Sequence, residues 1–169
     1  SQLDDVVPRI PALLFLLCVW SCHIGTTFAA LRLAPGVTSL SLAAEVAVLE
    51  DPGGRLSLAD VQRRGADFRA SPLPGKAEIN FGYSSSAWWL RFDIEAAPTA
   101  RRDWLLEVAF PTLDSVEYFG PADEHLTAGD HLPFAARPLV HRNFVFQLHL
   151  RDAGASTVWL RVASEGTLT

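Results

Sequence analysis

Residues 80–95 read Asn80-Phe-Gly-Tyr-Ser-Ser-Ser-Ala-Trp-Trp-Leu-Arg-Phe-Asp-Ile-Glu95, a glycine turn feeding a long strand with two adjacent tryptophans. Strand alternation sends Trp88, Leu90, Phe92 and Ile94 to one face and Ala87, Trp89, Arg91 and Asp93 to the other. The first set is uniformly apolar and suits a core. The second places a large aromatic ring two residues from a cation, a surface that either holds a ligand or covers itself. The triplet Trp-Leu-Arg returns at Trp159-Leu160-Arg161.

Working outward from this strand, alternation and turn signals mark further strands. Val37–Leu49 reads as two pieces, VTSLSL and EVAVLE, and Asp51-Pro52-Gly53-Gly54 is a turn. Ser57 caps a short helix over Leu58–Arg63, which Gly65 terminates. Trp104, Leu106, Val108 and Phe110 share a face of the next strand. Ser115–Phe119 follows, and Leu132-Pro133-Phe134 reads as a short edge segment. Phe144, Phe146, Leu148 and Leu150 alternate, and Thr157–Ala163 closes the series. About eight short strands and one weak helix predict an all-β fold, an antiparallel β-sandwich of jelly-roll type.

Composition narrows the function classes. The 169 residues have room for an export segment and one domain, expected at 1–29 and 35–169. A net charge of −5 argues against a nucleic-acid surface. The chain has no methionine, which suggests a piece of a longer polypeptide. Ile10–Trp20 has the length of a signal-peptide core and falls short of the ~20 residues of a membrane span. Thr27-Phe28-Ala29 supplies small residues for cleavage after Ala29. Both cysteines, Cys18 and Cys22, precede that point. The remaining domain has neither a disulfide framework nor a thiolate metal site.

No nucleophile elbow, phosphate loop or zinc-protease motif is present, so no catalytic residue and no cofactor are assigned. Ser84–Ser86 read as a loop. The histidine spacings match no compact metal motif. Asp123, Glu124, His125, Asp130 and His131 read as a polar loop in preference to a calcium site. The aromatic and arginine surface is the better candidate, because sugars stack their C–H faces on rings and hydrogen-bond their hydroxyls to polar side chains. The expected ligand-binding residues are Tyr83, Trp89, Arg91, His141, Arg142, Asn143, Trp159 and Arg161. Against this stands ordinary packing, each arginine lying over a neighbouring tryptophan or pairing with Asp93 or Glu165.

Five ordered blocks carry a family resemblance. They are Val48–Gly54 with Leu56–Val61; Asn80–Tyr83 through Trp89–Phe92; Trp104–Glu107 through Val116–Phe119; Gly129–Asp130 through Phe134, Arg137-Pro138 and His141–Phe146; and Trp159–Val162 with Ser164–Thr169. Together they resemble the second type of extracellular sensor domain of bacterial receptors with seven transmembrane helices and diverse intracellular signalling modules. Trp88 beside Trp89 departs from the pattern.

The resemblance implies a jelly roll like that of carbohydrate-binding modules, lying on the periplasmic side of the inner membrane. Membrane helices and a cytoplasmic output would follow beyond this chain. The expected role is non-catalytic sensing of a carbohydrate or similar small polar ligand. The alternatives are a dimerisation or partner-receptor module, and a secreted carbohydrate-binding module of an enzyme.

Overall fold

The computed structural model describes residues 28–70, 79, 81–165 and 167–168. The apolar run at 10–20, both cysteines and most of the expected export segment lie outside these residues.

Two ten-residue strands form the centre: β5 (Ala87–Ala96) and β10 (Gly154–Ala163). They pair antiparallel over nine positions, from Gly154↔Ala96 to Val162↔Trp88. Around them lie β1 (Leu31–Leu33), β2 (Ala47–Asp51), α1 (Leu58–Arg63), β3 (Arg69–Ala70) and β4 (Gly82–Tyr83). Downstream come β6 (Asp103–Val108), β7 (Ser115–Phe119), β8 (His125–Ala128), β9 (Phe144–His149) and β11 (Thr167–Leu168). The large sheet has the order β3-β2-β5-β10-β7-β8, and β1 adds to β5 in parallel. A second layer is the antiparallel pair β6-β9, and β4-β11 form a small separate ladder. An all-β, mainly antiparallel sandwich is the result.

The main core fills the space between the layers. Leu90, Phe92 and Ile94 of β5 and Val158, Leu160 and Val162 of β10 face Leu106 of β6 and Phe144, Phe146 and Leu148 of β9. Tyr118 stacks on Phe146 at 5.2 Å. Burial pushes the Tyr118 phenol pKa upward, with the charge of Glu124 adding to it. Trp88 lies at the margin of this core, stacked on Phe81 at 4.1 Å.

The helix forms where the sequence predicts it. The Ser57 hydroxyl accepts from the Asp60 amide and donates to the Asp60 carboxylate, which also accepts from the Ser57 amide. This reciprocal capping box satisfies amides that a six-residue helix would leave open.

Several segments differ from the expected pattern. VTSLSL (37–42) is not a strand: Leu42 packs against the core, but Leu40 is exposed and the segment lies across an open edge of the sandwich. The expected edge segment at Leu132–Phe134 is instead a loop entering a 3-10 turn, Phe134–Ala136. β8 lies in the stretch assigned to turns, because His125–Ala128 gains its order from β7 and not from its own alternation. β1 places residues 31–33 in the sheet, ahead of the boundary expected at 35.

Candidate functional site

The outer face of the large sheet carries a checkerboard of aromatic and charged side chains, set by register. Trp159 stands opposite Arg91, and Arg161 opposite Trp89. On the far side of β10, Trp159 faces Phe119 and Arg161 faces Glu117. The alternation predicts this division of faces. It leaves open whether the face holds a ligand or packs on itself, and the structure shows the two tryptophans covered.

α1 and the residues around it cover the two tryptophans. Trp89 is 1% exposed and Trp159 8%, in a second apolar cluster with Ala47, Leu49, Val61 and Phe68. Phe68 meets Trp159 edge-on at 5.5 Å, and Phe119 stacks against Trp89 at 5.6 Å. The sequence offers one visible sign of this lid, the single apolar side chain Val61 that the short helix buries completely.

The two arginines are engaged as well. Arg91 lies 5.5 Å over the Trp159 ring and holds both oxygens of Asp93, the closest at 2.9 Å. Thr157 donates to the same carboxylate at 2.7 Å. Arg161 donates to Glu117 at 2.8 Å and to the Gly54 carbonyl at 3.0 Å. Its carboxylate partner is Glu117 across the ladder, not Glu165. Trp89 and Trp159 are thus buried with their rings covered, and the half-buried Arg91 and Arg161 are held by Asp93 and by Glu117.

The other expected residues lie elsewhere. Tyr83 is 88% exposed on β4. Asn143 is buried at the start of β9 and donates to Glu107. His141 and Arg142 are exposed in the loop before it, where the His141 ring accepts from the Asn143 amide at 3.1 Å. The eight residues therefore divide between a covered face and one end of the sandwich.

The open site is one that the periodicity does not single out. A cleft of about 910 Å³ runs between β6 and residues 38–43, into the gap between the layers. Leu33, Leu90, Phe92, Ile94 and Leu106 give it apolar walls. Trp104 and Arg101 form one lip: the indole N–H donates to the Arg101 carbonyl at 3.0 Å, and the guanidinium lies 5.9 Å over the ring. Asp103 and His149, 2.7 Å apart, stand on the rim with Gln147 and Glu107. Alternation groups Trp104 with Leu106 as core. It cannot show that β6 is an edge strand, where an inward ring is left half-covered.

An apolar cleft with an aromatic lip and hydrogen-bonding groups on its rim is equipped to bind a molecule with an apolar face and a polar edge. Among the described residues no group of three or more His, Cys, Asp or Glu side chains could hold a metal ion. No described helix is long and apolar enough to cross a membrane.

Comparison with known proteins gives the family of this β-sandwich. The family described as 7TMR-DISM extracellular 2 matches residues 43–169, and the chain belongs to it. This is a family of extracellular sensor domains of membrane receptors and is not itself catalytic. No curated protein matches the chain.

Proposed function

We propose that this domain senses a carbohydrate or similar small polar ligand on the periplasmic side of a bacterial inner membrane, binding it in the cleft beside β6. The receptor setting comes from the family match over residues 43–169, the observation that carries this reading. The ligand class is supported by Trp104 and Arg101 at the lip and by the Asp103–His149 pair on the rim. A pyranose ring would lay its C–H face on the indole and turn its hydroxyls toward Asp103, Gln147 and His149. Binding would favour one of two receptor states, and the signal would be the difference in affinity between them. Seven membrane helices and a cytoplasmic output module would follow the domain.

The test is a glycan array followed by calorimetry on the wild type and on Trp104→Ala. Retention of one or more glycans, lost in Trp104→Ala with the fold intact, is the expected result. No retention of any glycan or periplasmic small molecule would remove the direct-sensing reading.

A further inference from the structure

The end of the sandwich where β10 finishes carries an unusual loop. β5 and β11 begin there, β8 and β10 end there, and residues 129–143 cross it from β8 to β9. Leu132, Phe134 and Val140 in this loop are 41%, 54% and 86% exposed. Tyr83 stands exposed at the same end, on the short ladder with β11. Large apolar side chains clustered in this way mark a contact surface.

The charge of the loop is opposite to that of the chain. The whole carries a net −5, whereas residues 131–142 contain Arg137, Arg142, two histidines and no carboxylate. Exposed carboxylates stand at its root: Asp130, Glu165 and Glu107, which accepts from Asn143. The loop is also preformed. The Arg137 guanidinium donates to the carbonyls of His141 and Arg142 and lies over the rings of Phe134 at 4.9 Å and Phe144 at 4.6 Å.

The root of the loop is tied to the segment that leaves β10. The Asp130 amide donates to the Leu113 carbonyl at 2.8 Å. Asp114 meets His131 at 3.4 Å and accepts from the Glu165 amide at 2.6 Å. One carboxylate thus holds both the start of the loop and the chain after β10. A Cβ on Gly129 would lie 2.1 Å from the Asp114 carbonyl oxygen, so only glycine allows this approach.

We propose that residues 131–142 rest on the surface of an anionic lipid bilayer, with Leu132, Phe134 and Val140 at headgroup depth and Arg142 facing the lipid phosphates. Apolar side chains on a cationic rim suit this boundary. A second copy of the loop would meet it with like charge. The proposal rests on the receptor reading, since it requires a membrane close to this end of the domain.

The test places one environment-sensitive fluorophore on Val140→Cys, with Cys18→Ser and Cys22→Ser, and in a second protein on Gln62→Cys of α1. Vesicles of equal parts phosphatidylglycerol and phosphatidylcholine should shift the emission of the label at 140 to the blue and leave that at 62 unchanged. Pure phosphatidylcholine should do neither. In the labelled protein Arg142→Ala should weaken vesicle partition about five-fold, the factor expected of one basic side chain at an anionic surface. Phe134→Ser should weaken it further, with circular dichroism confirming the fold.

An unmoved label at 140, equal shifts at both positions, or indifference to Arg142→Ala would overturn the proposal. The receptor reading is tested separately, by whether membrane spans follow in the reading frame. A silent label in a chain followed by such spans would therefore reject the loop contact alone.

Discussion

Two tryptophan–arginine pairings occupy opposite situations in this domain. On the outer face of the large sheet, Trp159 and Arg91 stand cross-strand under α1, and the guanidinium is held by Asp93. At the lip of the cleft, Trp104 and Arg101 lie at an edge, and the rim around them remains open. The residue types are the same, and so is the cation–π geometry. What differs is the layer above. A six-residue helix with one buried valine turns the first pairing into core, whereas among the described residues no strand pairs beyond β6, which leaves the second accessible. An aromatic residue beside a cation signals a ligand site only once its covering layer is known.

The largest effect that could break this contrast lies under the helix. Trp89→Ala should remove roughly 3–5 kcal/mol of stability, the cost of truncating a fully enclosed aromatic. Chemical denaturation would measure it. A loss below ~1 kcal/mol would mean that α1 does not seal the face. Trp104→Ala should cost clearly less in the same experiment, because its ring is only partly covered.

Next in size is the charge network beneath the lid. Glu117 receives Arg161 at 2.8 Å and His125 at 3.3 Å, and the Arg161 side chain is only 18% exposed. Glu117→Ala should cost about 2 kcal/mol, since it leaves a largely buried guanidinium with the Gly54 carbonyl as its remaining partner. Glu117→Gln should recover part of that loss, a difference readable in the thermal midpoint.

The helix cap comes third. Ser57→Ala removes the hydroxyl half of the capping box, leaving the backbone amide at 57 to donate to Asp60, and should cost about 1 kcal/mol. Amide exchange should quicken across α1 more than in β6 and β9, because the lid loosens while the cleft layer does not. Uniform exchange through both regions would contradict the separation of the two.

The smallest effect is acid sensitivity. Hydrogen bonds from the Ser57 side chain and backbone hold the Asp60 carboxyl below its ordinary value of 3.8, with Arg63 contributing. A carboxyl depressed on folding stabilises above its unfolded pKa and loses that contribution as pH falls through its folded value. The cap should therefore hold above about pH 4 and weaken only below it. A Ser57→Ala variant, which keeps the backbone hydrogen bond to Asp60 and the charge of Arg63, should show a smaller acid step in an exchange experiment on α1.

Much of the fold is legible in the sequence because period-two alternation is strong where both partners are long. β5, β7, β9 and the second half of β10 follow from Trp88–Ile94, Ser115–Phe119, Phe144–Leu150 and Thr157–Ala163. The helix follows from Ser57 and its three-residue spacing to Asp60. β1, β3 and β8 do not follow, since strands of two to four residues take their order from their partners and not from their own alternation.

For the site, alternation correctly separates Trp88 from Trp89 and predicts that Trp89, Arg91, Trp159 and Arg161 share a face. It carries no information on what lies above that face. The covering contacts join Val61 and Phe68 to residues up to nearly a hundred positions away, a relation that spacing along one strand does not encode. Trp104 is missed for the complementary reason: it has the pattern of a core residue, and only the topology makes β6 an edge.

The most direct test of the contrast is hydroxyl-radical footprinting of the tryptophans, read by mass spectrometry on the folded protein. Trp104 should be oxidised readily, and Trp89 and Trp159 should be protected until the protein unfolds. Ready oxidation of Trp89 and Trp159 with Trp104 protected would contradict the account, returning the open face to the outside of the large sheet.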